Sequence, residues 1–147
     1  LYTRRRHPEI RTNATQIRIS RISLSHISLA YLVIVLGTLV TGSGPHAGDI
    51  DAPRLDFHIT SITRIHSASV WLLLITTFFF FRAPDLPYRT KRWLIAFTIL
   101  ACAQGAIGYI QYFLGVPELL VGFHLVGSVL VWIAAWRVRL SIVRKSA

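Results

Sequence analysis

Two histidines, His66 in ITSITRIHSASVWLLL and His124 in PELLVGFHLVGSVLVW, lie inside long apolar runs. An ionisable side chain within hydrocarbon is costly and points to function by default. Two imidazoles facing each other across a helical bundle form the protein half of a six-coordinate haem site. The spacing supports that chemistry. With one run starting near Ile59 and another near Pro117, each histidine is 7 residues inside the same membrane face. At about 1.5 Å per residue, both lie roughly 10 Å below it. A proton relay and hydrogen bonds between helices are the competing uses of such a pair.

Helical spacing also shows what surrounds each imidazole, because positions three and four away share its face. For His66 these are Ile62, Thr63, Ser69 and Val70; for His124 they are Leu120, Val121, Gly127 and Ser128. Small residues beside both histidines leave room for a flat macrocycle, and would equally allow close helix packing. Gln104, Gly108 and Gln111 share one face of a third run. The two glutamines could donate to haem propionates, to a ligand imidazole or to other helices. Arg64, near the outer end of its helix, is placed to meet haem carboxylates or to snorkel to the interface. Arg54 in the preceding loop is a second candidate. His46 and His58 fall on the same outer side, where solvent exposure is the simpler expectation. His26 has no second histidine at its depth and reads as a polar residue at a helix end. Cys102, the one cysteine, excludes an internal disulfide and reads as a small buried hydrophobe. The helix interiors hold no Asp or Glu, which argues against a proton pump. Neither a nucleophile triad nor a phosphate loop is present.

The elements that must position these residues are transmembrane helices. The chain has 147 residues, 53% of them hydrophobic, with a mean hydropathy of +0.53. That is too apolar for an ordinary soluble domain. The expected fold is all-α, an integral membrane antiparallel four-helix bundle. Its helices fall at about 22–40, 59–81, 93–114 and 117–140, each near the ~20 residues a span needs. Residues 1–20 read as a basic arm or linker, 21–140 as the haem-binding transmembrane domain and 141–147 as a tail. The first loop, TGSGPHAGDIDAPR, is dense in turn-forming residues, and Asp56 could cap a short interfacial helix or the start of helix 2. The GVP turn is so short that helices 3 and 4 are antiparallel neighbours, with Pro117 suited to a first helical turn. No internal repeat stands out.

The net charge of +10 is unevenly placed. Arg4, Arg5, Arg6, Arg11, Arg18 and Arg21 precede helix 1, and Arg82, Arg89, Lys91 and Arg92 flank the second loop. Arg137, Arg139, Arg144 and Lys145 end the chain. The opposite side carries Arg54, with Arg64 just inside helix 2, and most of the acids: Asp49, Asp51, Asp56 and Glu118. Positive charge favours the inner side, so both termini are expected in the cytoplasm. Membrane lipid accounts for the basic arm, and nucleic acid is not an expected partner. The first residue is Leu and no Met occurs; the expectation is a processed, trimmed or partial chain.

LGTLVTGSGPHAGD, then RIHS, then QGAIGYIQYFLGVPELLVGFHLVGS together resemble the C-terminal half of heme A synthase, most closely its actinobacterial-type members. The resemblance covers roughly residues 20–140. It implies one half of an eight-helix protein of the bacterial plasma membrane that oxidises the C8 methyl of heme o to a formyl group for cytochrome c oxidase. The C-terminal half of that family holds haem b between two histidines, which correspond to His66 and His124. The implied partners are an N-terminal half or a second copy, heme o as substrate, and heme o synthase. One departure matters. The family's substrate half carries a glutamate three residues before its helix-2 histidine, followed by His-Arg; here those positions hold Thr63 and His66-Ser67. The loop cysteine pair of some members is also absent. The chain therefore resembles the cofactor half, which relays electrons and is not expected to catalyse alone. A stand-alone membrane cytochrome b and a haem-free assembly factor for the oxidase are the other readings.

Overall fold

The computed structural model describes residues 8–45 and 53–143, with side chains for 14–45 and 53–142. Four helices account for nearly all of it: α1 (Pro8–Ser43), α2 (Ile59–Phe81), α3 (Tyr88–Phe113) and α4 (Glu118–Val143). No strand occurs among the described residues. All four helices are long and apolar enough to cross a membrane, the stretch in α1 being Ala14–Ser43. The helices stand in a ring. α1 packs on α2 and α4, α3 packs closely on α4, and the α2–α3 seam is the sparsest; α1 and α3 lie across one diagonal, α2 and α4 across the other.

The boundaries differ from the sequence expectation chiefly at the cationic end. α1 begins at Pro8, well before residue 22, so the polar arm continues as helix. Proline needs no N–H partner in a first turn, which suits it to start a helix. Tertiary contacts hold the extension. Arg139 of α4 donates to the Ser20 carbonyl (2.9 Å) and to the Ser20 and Ser23 hydroxyls (3.1 and 2.7 Å). Ile19 and Ser23 are buried. α3 starts at Tyr88, earlier than 93, because the Pro87 carbonyl accepts from Lys91 N–H and opens the first turn. His58 stands at the N-cap of α2 without a side-chain cap, its main-chain carbonyl accepting the first helical bonds from Ser61 and Ile62 N–H. Asp56 lies two residues too early to serve as that cap.

The α3–α4 turn is a Schellman-type closure. Gly115 has φ +72°, and Val116 N–H bonds the Gln111 carbonyl at 2.7 Å. Val116 is itself left-handed, at φ +62°, a strained conformation for a β-branched residue. Glu118 begins α4, with Pro117 just outside it, its carbonyl taking Val121 N–H.

The buried apolar core is confined to one half of the bundle. It comprises Ile19, Ile27 and Ala30 of α1, Leu73 and Phe80 of α2, Leu94, Phe97 and Ala101 of α3, and Ala134, Ala135, Val138 and Ile142 of α4, with Ala83 and Leu86 of the connecting loop. This is the cationic end. Arg18 and Arg21, Arg82, Arg89, Lys91 and Arg92, and Arg137 and Arg139 all gather there. The Thr90–Ser141 hydrogen bond (2.9 Å) ties α3 to α4 at the same level. Towards the opposite end, around His66 and His124, Ile62 is the one apolar side chain among the described residues buried to this degree.

Candidate functional site

His66 is 7 residues into α2 and His124 is 6 into α4. The matched depth read from the sequence holds to within one residue, about 1.5 Å. α2 and α4 face each other across the ring, so both imidazoles belong to its middle, at the end without the dry core. Both are half-buried, and they are close enough to interact electrostatically.

His66 Nδ1 lies 3.1 Å from the Val33 carbonyl of α1. A carbonyl only accepts, so Nδ1 carries the proton and donates. In the neutral ring this leaves the Nε2 lone pair available. A metal-ligating histidine usually has this arrangement, with one nitrogen anchored to a carbonyl and the other free for the metal. The ring lies against Gly37: a methyl group there would be 3.2 Å from His66 Cε1.

His124 has a related setting on α3. The Gln104 main-chain carbonyl faces the ring but makes no full hydrogen bond, and Nδ1 is buried without a partner. A methyl on Gly108 would stand 3.4 Å from His124 Cε1.

The predicted glutamines are where spacing put them. The Gln104 side chain crosses to α4 and lies on Gly127, one turn from His124, where any Cβ would collide with its amide. Gly127 thus serves close packing of α3 on α4. Oε1 of Gln104 and Oε1 of Gln111 are both buried without a partner. Buried polar atoms without partners are rare and call for a specific explanation.

Arg64 does not join this group. It is exposed, and two residues from His66 it points away from that face of α2. Arg54 instead binds the Pro45 carbonyl (2.9 Å), helping to fold the loop back on α1, where Leu55 N–H bonds the Gly42 carbonyl (3.0 Å). His58 is exposed at the start of α2, and His46 lies outside the described residues.

Two expectations are corrected. His26 is not a helix-end residue: it is 2% exposed, with edge-on contacts to the rings of Phe80 and Phe97. The extension of α1 places it well inside the bundle. Thr77 Oγ1 donates to the Leu73 carbonyl, so it accepts from His26 Nε2–H at 3.0 Å. Cys102 is exposed, not buried. Leu94, Phe97 and Ala101 form the inward stripe of α3, and Cys102 is turned about 100° from it.

The sequence reading missed three features: the carbonyls that face the histidines, the Arg139–Ser20–Ser23 cluster, and a hydrogen-bonded bridge across the α2–α3 seam. In the bridge, Trp71 Nε1–H donates to the Tyr109 hydroxyl (3.1 Å), which also pairs with the Ser67 hydroxyl (3.1 Å). Glycines inside apolar helices, at 37 and 108, were the available signal for the first.

No group of three or more His, Cys, Asp or Glu among the described residues could hold a bare metal ion. Two neutral imidazoles instead suit axial ligation of an iron whose other four ligands come from a macrocycle. The residues fit such a group on three counts. The imidazoles lie within one residue of the same depth on facing helices; glycines stand beside both rings; and Gln104 Oε1, Gln111 Oε1 and His124 Nδ1 are buried without partners on α3 and α4, as His26 Nδ1 is on α1. Two surface grooves of about 270 and 250 Å³ lie elsewhere, around Trp132 and Trp136, and neither touches the histidines. No family model, curated protein or solved structure matches the chain.

Proposed function

We propose that this chain is a membrane haem b-binding unit with His66 and His124 as axial ligands, and that it is the electron-relaying half of a heme A synthase of the bacterial plasma membrane. The observation that carries the haem reading is His66 itself. It is anchored through Nδ1–H to the Val33 carbonyl and lies on the helix across the ring from His124, within one residue of its depth, at the end of the bundle that lacks a buried apolar core. The assignment to heme A synthase rests on the resemblance of residues 20–140.

The bound haem would supply a reversible one-electron carrier. The chain's own residues have three tasks. His66 and His124 would hold the iron through neutral nitrogen lone pairs, and a group held by both would supply electron transfer rather than direct oxygen chemistry. The Val33 carbonyl fixes the tautomer and orientation of one ligand. Gln104 and Gln111 present amide groups to the same interior, where they would hold the other ligand ring or the haem carboxylates. In the complete protein, the N-terminal half or a second copy would hold heme o, with heme o synthase as its source. The charge distribution supports a cytoplasmic position for both termini.

One observation favours a second reading, a membrane cytochrome b without enzymatic activity. Among the described residues the only helical carboxylates are Glu9 and Glu118, at the very starts of α1 and α4, so the interior holds no acid to assist methyl oxidation.

The test is a reduced-minus-oxidised spectrum of the purified protein. A low-spin b-type spectrum is expected, and His66→Ala or His124→Ala should each abolish it. Full-strength low-spin haem in both variants would overturn the ligand assignment.

A further inference from the structure

We infer that Gly37 and Gly108 are positioning residues that bare a main-chain carbonyl for each histidine. The inference deepens the haem reading and rests on it only for its redox consequence. In an α-helix the side chain of residue i+4 leans back over the carbonyl of residue i. That carbonyl already accepts the i+4 N–H but keeps a second lone pair. A side chain at i+4 normally shields it; glycine does not. Gly37 is four residues after Val33, whose carbonyl takes the His66 proton. Gly108 is four residues after Gln104, whose carbonyl faces His124.

The contacts at both glycines come from the rings. The three atoms nearest a methyl at Gly37 would be His66 Cε1, Nδ1 and Nε2, at 3.2, 3.7 and 3.9 Å; at Gly108 the one atom within 4 Å would be His124 Cε1. The bundle thus repeats one device. Each hairpin, α1–α2 and α3–α4, provides an imidazole from its second helix and a bared carbonyl from its first. The two instances differ: the His66 bond is complete and the His124 contact is not.

A carbonyl bonded to Nδ1–H makes an axial imidazole a stronger electron donor. Stronger donation favours the oxidised iron, so the device would lower the reduction potential. Displacing the ring should raise that potential and weaken haem binding, by roughly 10- to 100-fold if the effect is typical of such partners.

The experiment compares Gly37→Ala with Gly105→Ala and Gly122→Ala, positions where a methyl meets nothing within 4 Å. Imidazole ¹⁵N NMR of the haem-free protein reads the tautomer, and potentiometry of the loaded protein reads the redox effect. Gly37→Ala should lose the fixed Nδ1–H form of His66 and raise the potential, and the controls should do neither. Gly108→Ala, with its looser 3.4 Å contact, should have a smaller effect. If Gly37→Ala does not fold, His66→Ala removes the bond without crowding, and the ¹³C shift of the Val33 carbonyl should move. An unchanged tautomer in Gly37→Ala, or an unmoved Val33 carbonyl in His66→Ala, would overturn the inference. Loss of the tautomer in a protein that takes up no haem would keep the positioning role and sink the haem reading instead.

Discussion

Each imidazole in the bundle is characterised by what its two nitrogens meet. His26 and His66 both spend one N–H on a partner, yet their surroundings separate them. His26 is enclosed by Phe80 and Phe97 in the dry half, whereas His66 faces a second histidine in the other. His26→Ala should therefore leave the haem spectrum intact while destabilising the fold by about 2 kcal/mol or more, the scale of large-to-small core substitutions. Thermal unfolding recorded beside the spectrum separates these effects. A lost spectrum in a well-folded His26→Ala protein would show that the ligand pair is misassigned.

At the scale of elements, Arg139 joins the first and last helices. Its three contacts with Ser20 and Ser23 hold the cationic end of α1 against α4. Hydrogen bonds to a charged group contribute about 1.5–3 kcal/mol. Arg139→Leu should lower stability on that scale and raise amide exchange in residues 14–23, with little change around His66. Exchange unchanged in α1 would show that the extension stands by its own helical propensity. The α2–α3 seam contrasts with this joint, since few backbone contacts support it and the Tyr109 bridge to Ser67 and Trp71 crosses it.

At the scale of the whole molecule, most cations among the described residues gather at one end of the bundle, and the two histidines, with Arg54 and Arg64, lie towards the other. In a Cys102→Ser background, a cysteine placed within 46–52 should react with an impermeant reagent from outside, and one within 85–90 should not. The reverse labelling would invert the assigned orientation. Catalysis belongs to this scale as well. Withdrawing electrons and protons from a methyl group needs a positioned acid–base or charge-stabilising group, and on the proposed resemblance to heme A synthase Thr63 falls where the substrate half would have glutamate. Cells making heme o and only residues 1–147 should yield haem-loaded protein but no heme A on chromatography. Co-expression with an N-terminal half should restore it. Clear heme A from this segment alone would mean that it carries its own substrate site.

Four apolar runs of spanning length, their turns and the matched depth of His66 and His124 were legible in the sequence, because hydropathy and the 1.5 Å helical rise are local properties. So was the shared face of Gln104, Gly108 and Gln111, since side-chain direction repeats every few residues. Which face turned inward was not local. Cys102 and Arg64 lie outward, and His26 lies deep inside, because neighbouring helices decide which stripe of each helix is covered. The contacts along the early part of α1 were not local either: Ser20 meets a cation more than a hundred residues away in the chain. Main-chain carbonyls like those of Val33 and Gln104 are common to every residue, and the glycines four positions on were their one trace in residue type. Only the packing of α1 on α2 and α3 on α4 showed which of them, bared by a glycine, meets an imidazole.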